Sequence, residues 1–321
     1  MTTEVTIWCS GEHATTVQRI IDLMGSSITP IGLGSARPAE IGELSRQLDC
    51  PVEDDFRKLL IDRPAAFVLT TTIEGIDPSA LEATNGARLL SIEPIAASLD
   101  ELPNNLDLNV TMLAEFMHCP GWHCAADPSE VIGTVQMINF TSLGPHSEAS
   151  LFARLYDAWQ VALRFGDMPE SIDASLTGPL SEPPETLRGL TGHMSIHARN
   201  STGSTTTLQL SDRAGISDRY LQVIGDQAHL AIGNQHYILA HSSGELIDRS
   251  APPEHHDTFV DLMVRQWRQL LDQSNGEATG RTIHDLEVDR RIITCCLASL
   301  LSSRTGEPES PQTLIEMNRG L

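Results

Sequence analysis

The stretch IWCSGEHATTVQRII, Ile7 to Ile21, decides the fold. A short apolar strand around Val5, Ile7 and Trp8 runs into a tight turn and then into a helix from about Thr15 to Leu23. Strand, turn and helix in this order frame the position that a G-x-G-x-x-G turn takes in a dinucleotide-binding unit. Here it reads Cys9-x-Gly11-x-x-Ala14. The first glycine of such a turn permits the sharp bend, the second lets the backbone approach a pyrophosphate, and the third, which can be alanine, lets helix and strand pack closely. Gly11 and Ala14 keep the second and third roles. Cys9 carries a Cβ that widens the bend, and Glu12 puts negative charge where the anion would lie.

The alternation continues through the first hundred residues: ITPIGLG, a helix from about Ala39 to Leu48, DDFRKLLID, the apolar run AAFVLTTT, helix-compatible DPSALEATNG, and ARLLSIEP. Strands alternating with helices make a parallel sheet with crossover connections, so residues 1–118 are expected to form a Rossmann-like doubly wound domain. The acid that reads the ribose about 20 residues after the glycine turn is absent, and GLGSARP stands in its place. Ser35 and Arg37 there either meet the 2′-phosphate of NADP or belong to a solvated loop. Thr71, near the end of the AAFVLTTT run, joins Cys9, Gly11, Ala14, Ser35, Arg37 and Pro94 as the candidate cofactor residues.

From about Asn109 the texture changes. A helical segment is expected over Val110 to Met117, then a loop rich in Pro, Gly, His and Cys, the strand GTVQMINF and a helix from about Ser150 to Phe165. Six strand candidates follow in series: SIDASLTG, GHMSIHARN, STTTLQLS, YLQVIGD, AHLAIGN and HYILAHS. Serial strands joined by Gly, Asn and Asp turns indicate a large, mainly antiparallel open sheet, so residues 119–321 are expected to form a second, α/β domain. Helices over about His255–Asp272 and His284–Ser303 and a polar tail close the chain. Thr205, Thr207 and Gln209 alternate with Leu208 and Leu210, which leaves one sheet face mild enough to pair with a second copy, and a homodimer is expected.

Composition narrows the function classes. Against 43 acidic side chains stand 21 basic ones, a formal charge of −22 that repels phosphate backbones and anionic membranes, so neither nucleic acid nor membrane is expected as a partner. The N-terminus has no basic leader and no long apolar run occurs, and the six irregularly spaced cysteines fit a reducing compartment; a soluble cytoplasmic protein is the expectation. No G-x-S-x-G, Walker loop or H-E-x-x-H occurs, which leaves hydrolase and NTPase readings without a motif.

The order of these pieces resembles the glucose-fructose oxidoreductase / inositol dehydrogenase (Gfo/Idh/MocA) family across nearly the whole chain. Besides the opening turn, LLSIEPIAASLDEL (Leu89–Leu102) looks like the family's strand ending in Glu-Lys-Pro, LYDAWQVALRFGDMPESIDASL (Leu155–Leu176) like its second-domain helix and strand, and CLASLLSSRTGEP (Cys296–Pro308) like its closing helix. The resemblance implies NAD or NADP as cofactor and a sugar or polyol as substrate. It also exposes departures. Ile92-Glu93-Pro94 replaces Glu-Lys-Pro, so a carboxylate stands where the family has its lysine. Tyr156 stands near the family's catalytic histidine and Trp159 near its aspartate, with Asp157 able to restore a carboxylate. Glu93, Tyr156 and Asp157 are therefore the catalytic candidates, since a carboxylate or phenol held near the nicotinamide can exchange a hydroxyl proton. The usual lysine and histidine are absent, so a catalytically silent ligand-binding or scaffolding relative is the alternative.

Three further groups have plainer readings. HCPGWHC (His118 to Cys124) collects four possible zinc ligands at a spacing that matches no standard finger, and reads better as a loop whose Trp122 and a histidine line a substrate pocket; no metal is expected. Cys295 and Cys296 lie in an apolar helical run and read as small core hydrophobes. His193 and His197 share one face of a strand, which reads as a wet or pairing face.

Overall fold

The computed structural model describes residues 2–77, 80–81, 86–102, 109–125, 129–179, 181–250, 257–273 and 283–319. Two compact units emerge, one from 1–96, 101–114 and 259–287, the other from 97–100, 115–258 and 288–321.

The first unit is built on a parallel sheet of β1 (Thr3–Trp8), β2 (Ile28–Gly34), β3 (Val52–Glu53), β4 (Phe67–Thr70), β5 (Arg88–Ser91) and β6 (Val110–Met112) in the order β3-β2-β1-β4-β5-β6. This is the doubly wound order expected of a Rossmann sheet, with its reversal between β1 and β4. Val5, Thr6, Ile7 and Trp8 of β1 are fully buried, the mark of a central strand covered on both faces. Helix α1 (Ala14–Met24) buries Thr16, Val17, Ile20 and Met24, one face at helical spacing. The short helices α2 (Gly42–Leu48) and α3 (Phe56–Asp62) follow β2 and β3. Asp55 caps α3 by accepting from Lys58 N.

Val110 to Met117 is not the expected helix. Val110–Met112 extends along β5 as β6, Ala114 takes a left-handed φ of 60°, and a 3-10 turn covers Phe116–His118. The ladder that β5 offers Val110–Met112 prevails over the local helical pattern. Helix α7 (Phe259–Gln273), far along the chain, packs on α1 in this same unit. Its Gln266 accepts from Ala114 N at 2.7 Å and donates to Met112 O at 3.0 Å, fixing the end of β6. Much of the DPSALEATNG segment, and the expected start of the later helix at His255, fall outside the described residues.

The second unit carries an eight-stranded sheet: β7 (Val135–Pro145), β8 (Ser171–Thr177), β9 (His193–Arg199), β10 (Thr205–Ser211), β11 (Arg213–Gly225), β12 (Ala228–Gly233), β13 (Tyr237–His241) and β14 (Leu246–Arg249), ordered β14-β13-β12-β11-β7-β10-β9-β8. Only β7 and β10 run parallel; the other pairs are antiparallel. The small helices α4 (Pro120–Cys124) and α5 (Ser129–Ile132) precede β7. Helix α6 (Leu151–Phe165) starts at Ser150, whose Oγ accepts from Ala153 N at 3.0 Å. Helix α8 (Ile283–Thr305), from Val288 on, joins it: Trp159 Nε1 donates to Ser299 Oγ at 3.1 Å, and Ser302 Oγ accepts from Ala174 N. Cys295 and Cys296 are fully buried there, their thiols pushed up by burial. The polar tail, for which the sequence indicates no element, forms α9 (Pro311–Arg319). His193 and His197 are on the exposed face of β9. Among the described residues no helix is long and apolar enough to cross a membrane.

Candidate functional site

In the first unit, the turn after β1 is held from both neighbouring strands. Cys9 N donates to Gly34 O at 3.0 Å, at the end of β2, and Thr71 N donates to Trp8 O at 3.0 Å, just beyond β4. Ser10 N reaches Thr71 Oγ1 at 3.4 Å. Gly11–His13 form a 3-10 turn closed by Ala14 N donating to Gly11 O, and α1 begins at Ala14. Ser10 Oγ and His13 Nδ1 share a hydrogen bond of 2.9 Å. Cys9 itself is fully buried, with its thiol pushed up to about 12 by that burial. Its backbone does not adopt the left-handed region, so the bend here does not depend on a glycine.

Beyond β2, Ser35 is buried, its Oγ accepting from Arg37 N at 3.1 Å. Arg37 Nη2 lies 2.8 Å from Glu74 Oε1 and its Nη1 3.5 Å from Glu40 Oε1. Glu74 first, and Glu40 second, hold the guanidinium charged more firmly than usual. Glu74 is itself fixed through its backbone: its O accepts from Trp8 Nε1 at 3.0 Å and its N donates to Thr72 Oγ1 at 3.1 Å. Glu93 and the buried Pro94 follow β5, where Glu93 N donates to Ser91 Oγ at 3.2 Å. The candidate cofactor residues thus gather at the carboxyl ends of adjacent parallel strands β2, β1, β4 and β5, the edge of an open α/β sheet at which ligands bind.

In the second unit, polar groups gather around the 3-10 turn Phe116–His118 and α6. Asp157 is buried; its Oδ1 accepts from Phe116 N at 2.9 Å and its Oδ2 lies 3.6 Å from Arg219 Nη1. Arg219, buried on β11, donates through Nε to Asn234 Oδ1 at 2.9 Å and places its guanidinium 5.5 Å from the Phe116 ring centroid. Burial pushes the Asp157 carboxyl up to about 6, against the opposing pull of Arg219 and the Phe116 N–H. Glu115 Oε2 lies 3.3 Å from His118 Nε2 and accepts from Gln160 Nε2 at 3.4 Å. Burial acts to lower the His118 imidazole, but the hydrogen bond and charge of Glu115, with Asp157 behind it, prevail and hold it above its ordinary value. His123, its ring 6.1 Å away, is lowered by burial and by His118.

No protein-family model matches the sequence, and no curated protein matches it. Solved structures do. An oxidoreductase from Agrobacterium radiobacter, in complex with NAD+, L-tartaric acid and magnesium, matches with a TM-score of 0.70 at 12% identity, covering 98% of this chain and 100% of that one. An oxidoreductase from Sinorhizobium meliloti matches at 0.69 and 13%, covering 95% and 98%. Levoglucosan dehydrogenase, in complex with NADH and levoglucosan, matches at 0.68 and 13%, covering 97% and 99%. The chain has the fold of these oxidoreductases.

Against that fold, the sequence-predicted residues separate. Gly11, Ser35, Arg37 and Thr71 share one sheet edge. Tyr156 and Asp157, neighbours on α6, take different partners: Tyr156 OH donates to Asp289 Oδ1 on α8 at 2.6 Å, whereas Asp157 serves the Phe116 turn and Arg219. Sequence reasoning missed Glu40, Glu74, Glu115 and Arg219. Each acts through a partner distant in sequence or through a local turn, and no spacing signal marks it. His118 was visible as part of a His/Cys-rich loop, but not its pairing with Glu115. Among the described residues no group of three or more His, Cys, Asp or Glu is placed to hold a metal ion.

Proposed function

We propose that this protein is an NAD(P)-dependent oxidoreductase-like protein of the sugar/polyol dehydrogenase type, with a catalytic set that departs from the Gfo/Idh/MocA pattern. The observation that carries this reading is the glycine turn at the reversal point of a β3-β2-β1-β4-β5-β6 sheet, with α1 starting directly after it. A helix start beside a glycine is a ready place for a diphosphate. The local residues fit a dinucleotide on one condition, that the Glu40 side chain leaves Gly11; both it and its tether Arg37 are substantially exposed, at 43% and 61% of their side-chain surface, so water can take over their pairing. When bound, the nicotinamide supplies or accepts hydride.

What the chain's own residues do follows from their partners. The Gly11 turn and the start of α1 hold the diphosphate, and Thr71 braces the turn through Ser10. Arg37 is already matched by Glu74 at 2.8 Å, so a 2′-phosphate would meet a carboxylate; NAD suits this edge better than NADP, with Glu74 as an acceptor for ribose hydroxyls. Glu93, Asp157 and the His118–Glu115 pair are the groups able to take up or release a hydroxyl proton. Tyr156, engaged with Asp289, is a packing residue. The substrate is a sugar or polyol, and the active form is a homodimer of cytoplasmic protein, paired through the exposed face of the eight-stranded sheet.

The second reading, a catalytically silent relative, is favoured by Glu93 standing where a cation would assist hydride transfer. A panel of polyols and sugars with NAD+, followed by NADH formation, separates the two. Turnover that falls in Asp157→Asn or His118→Gln supports the dehydrogenase; saturable NADH binding with no turnover on any panel member supports the silent form.

A further inference from the structure

The glycine turn is covered by a side chain of its own unit. A 3-10 turn over Pro38–Ile41, just before α2, lays Glu40 against Gly11. A Cβ placed on Gly11 would lie 2.7 Å from Glu40 Cβ, 2.9 Å from Glu40 Oε2 and 3.4 Å from Glu40 O. The glycine is thus needed for this contact, and the carboxylate sits on the residue whose bareness lets an anion approach the backbone. The position is tethered. Glu40 Oε1 is 3.5 Å from Arg37 Nη1, Arg37 Nη2 is 2.8 Å from Glu74 Oε1, and Glu74 is anchored by its carbonyl to the fully buried Trp8.

We propose that Glu40 is an internal stand-in for the dinucleotide diphosphate, and that the Glu40–Arg37–Glu74 chain sets both the affinity of this turn and its preference for a cofactor without a 2′-phosphate. The proposal rests on the reading of the turn as a dinucleotide site. Binding exchanges one anion for another: the Glu40 carboxylate swings to solvent as the diphosphate arrives, and whatever charge it keeps nearby opposes the ligand. Glu74 is anchored at its backbone N–H and C=O, so its carboxylate stays within reach of Arg37 when Glu40 moves. A 2′-phosphate brought to Arg37 has to compete with a carboxylate already in contact. Such repulsion between exposed charges is screened by salt, with a Debye length of about 8 Å at physiological ionic strength.

The test titrates NADH and NADPH into the full chain by calorimetry, at low and high salt, for wild type, Glu40→Gln and Glu74→Gln. Glutamine preserves the packing on Gly11 while removing the charge, and unchanged melting temperatures establish that the variants fold. Two phosphate charges some 4–6 Å from the carboxylate, in a water-like dielectric, correspond to NADH binding about ten- to thirtyfold tighter in Glu40→Gln at low salt. The gain shrinks at high salt, and Glu74→Gln raises NADPH affinity more than NADH affinity. If wild type and Glu40→Gln bind NADH equally well, the stand-in is refuted while the dinucleotide reading survives. If no variant binds either nucleotide, the dinucleotide reading fails and takes the stand-in with it.

Discussion

Adding one methyl group at Gly34 tests whether the sheet edge is built as described. A Cβ there would lie 2.5 Å from Trp8 Cε3, 2.7 Å from Trp8 Cζ3 and 2.7 Å from Leu59 Cδ2. Carbon atoms in good contact lie about 3.5–4.0 Å apart, so the intrusion is roughly 1 Å on two sides. Neither neighbour has room to yield. The Trp8 indole is fully buried, packs edge-on to Phe56 with centroids 5.4 Å apart, and is fastened by its N–H to Glu74 O; Leu59 is 2% exposed. Overpacking of a well-filled core costs about 1–3 kcal/mol, and two rigid neighbours place Gly34→Ala at the upper end, near 3 kcal/mol. For a unit of this size that lowers its melting temperature by about 6–12 °C. Gly42→Ala is the matched control: nothing lies within 4 Å of its added Cβ, and it opens α2 with helical φ and ψ. It should be neutral or stabilise by about 0.5–1 kcal/mol. Thermal unfolding followed by near-ultraviolet circular dichroism reads both. A Gly34→Ala melting temperature within a degree or two of wild type would falsify the placement of Trp8 under the end of β2.

Three further outcomes follow from the second unit. Tyr156→Phe removes a hydrogen bond to a carboxylate and should lose about 1.5–3 kcal/mol of stability while leaving turnover within a few-fold of wild type; a hundredfold loss of turnover with unchanged stability would make Tyr156 the proton-exchanging group instead. The His118 imidazole is held above its ordinary value, so its protonated pairing with Glu115 stabilises fully below about pH 6.5 and is lost as the pH rises through the raised value; nuclear magnetic resonance titration should show Glu115→Gln moving it down, and no movement contradicts the pairing. The Asp157 carboxyl is raised to about 6, so the wild type should lose stability relative to Asp157→Asn as the pH climbs from about 4 through 6; urea midpoints at pH 5 and pH 8 that move in parallel for both proteins would contradict it.

What the sequence discloses here is local. ITPIGLG is β2 to the residue, and the helix expected from Ser150 is α6 with Ser150 as its cap, because alternation and capping are written in consecutive positions. Cys9, in place of the first glycine, announced a widened bend, yet the turn there uses an ordinary backbone and the bulk of the thiol goes into the core. Long-range partnership was not legible. Three-residue β6 becomes a strand because β5 offers it a ladder, and α7 joins the first unit because Gln266 and Arg268 find Met112, Ala114 and Leu23 far back in the chain. The same holds for the candidate site. Glu40 against Gly11 and Glu74 against Arg37 are juxtapositions made by strand order, and neither residue carries a motif of its own.

The most direct measurement is calorimetric titration of the full chain with NADH, with thermal unfolding in parallel. Saturable binding is expected at one site per chain, weak at low salt because of Glu40, with NADH preferred over NADPH. Ligand at about ten times its dissociation constant then stabilises the chain by about 1.4 kcal/mol, enough to raise its melting temperature by a few degrees. Absence of both heat and thermal shift with millimolar NADH and NADPH would contradict it.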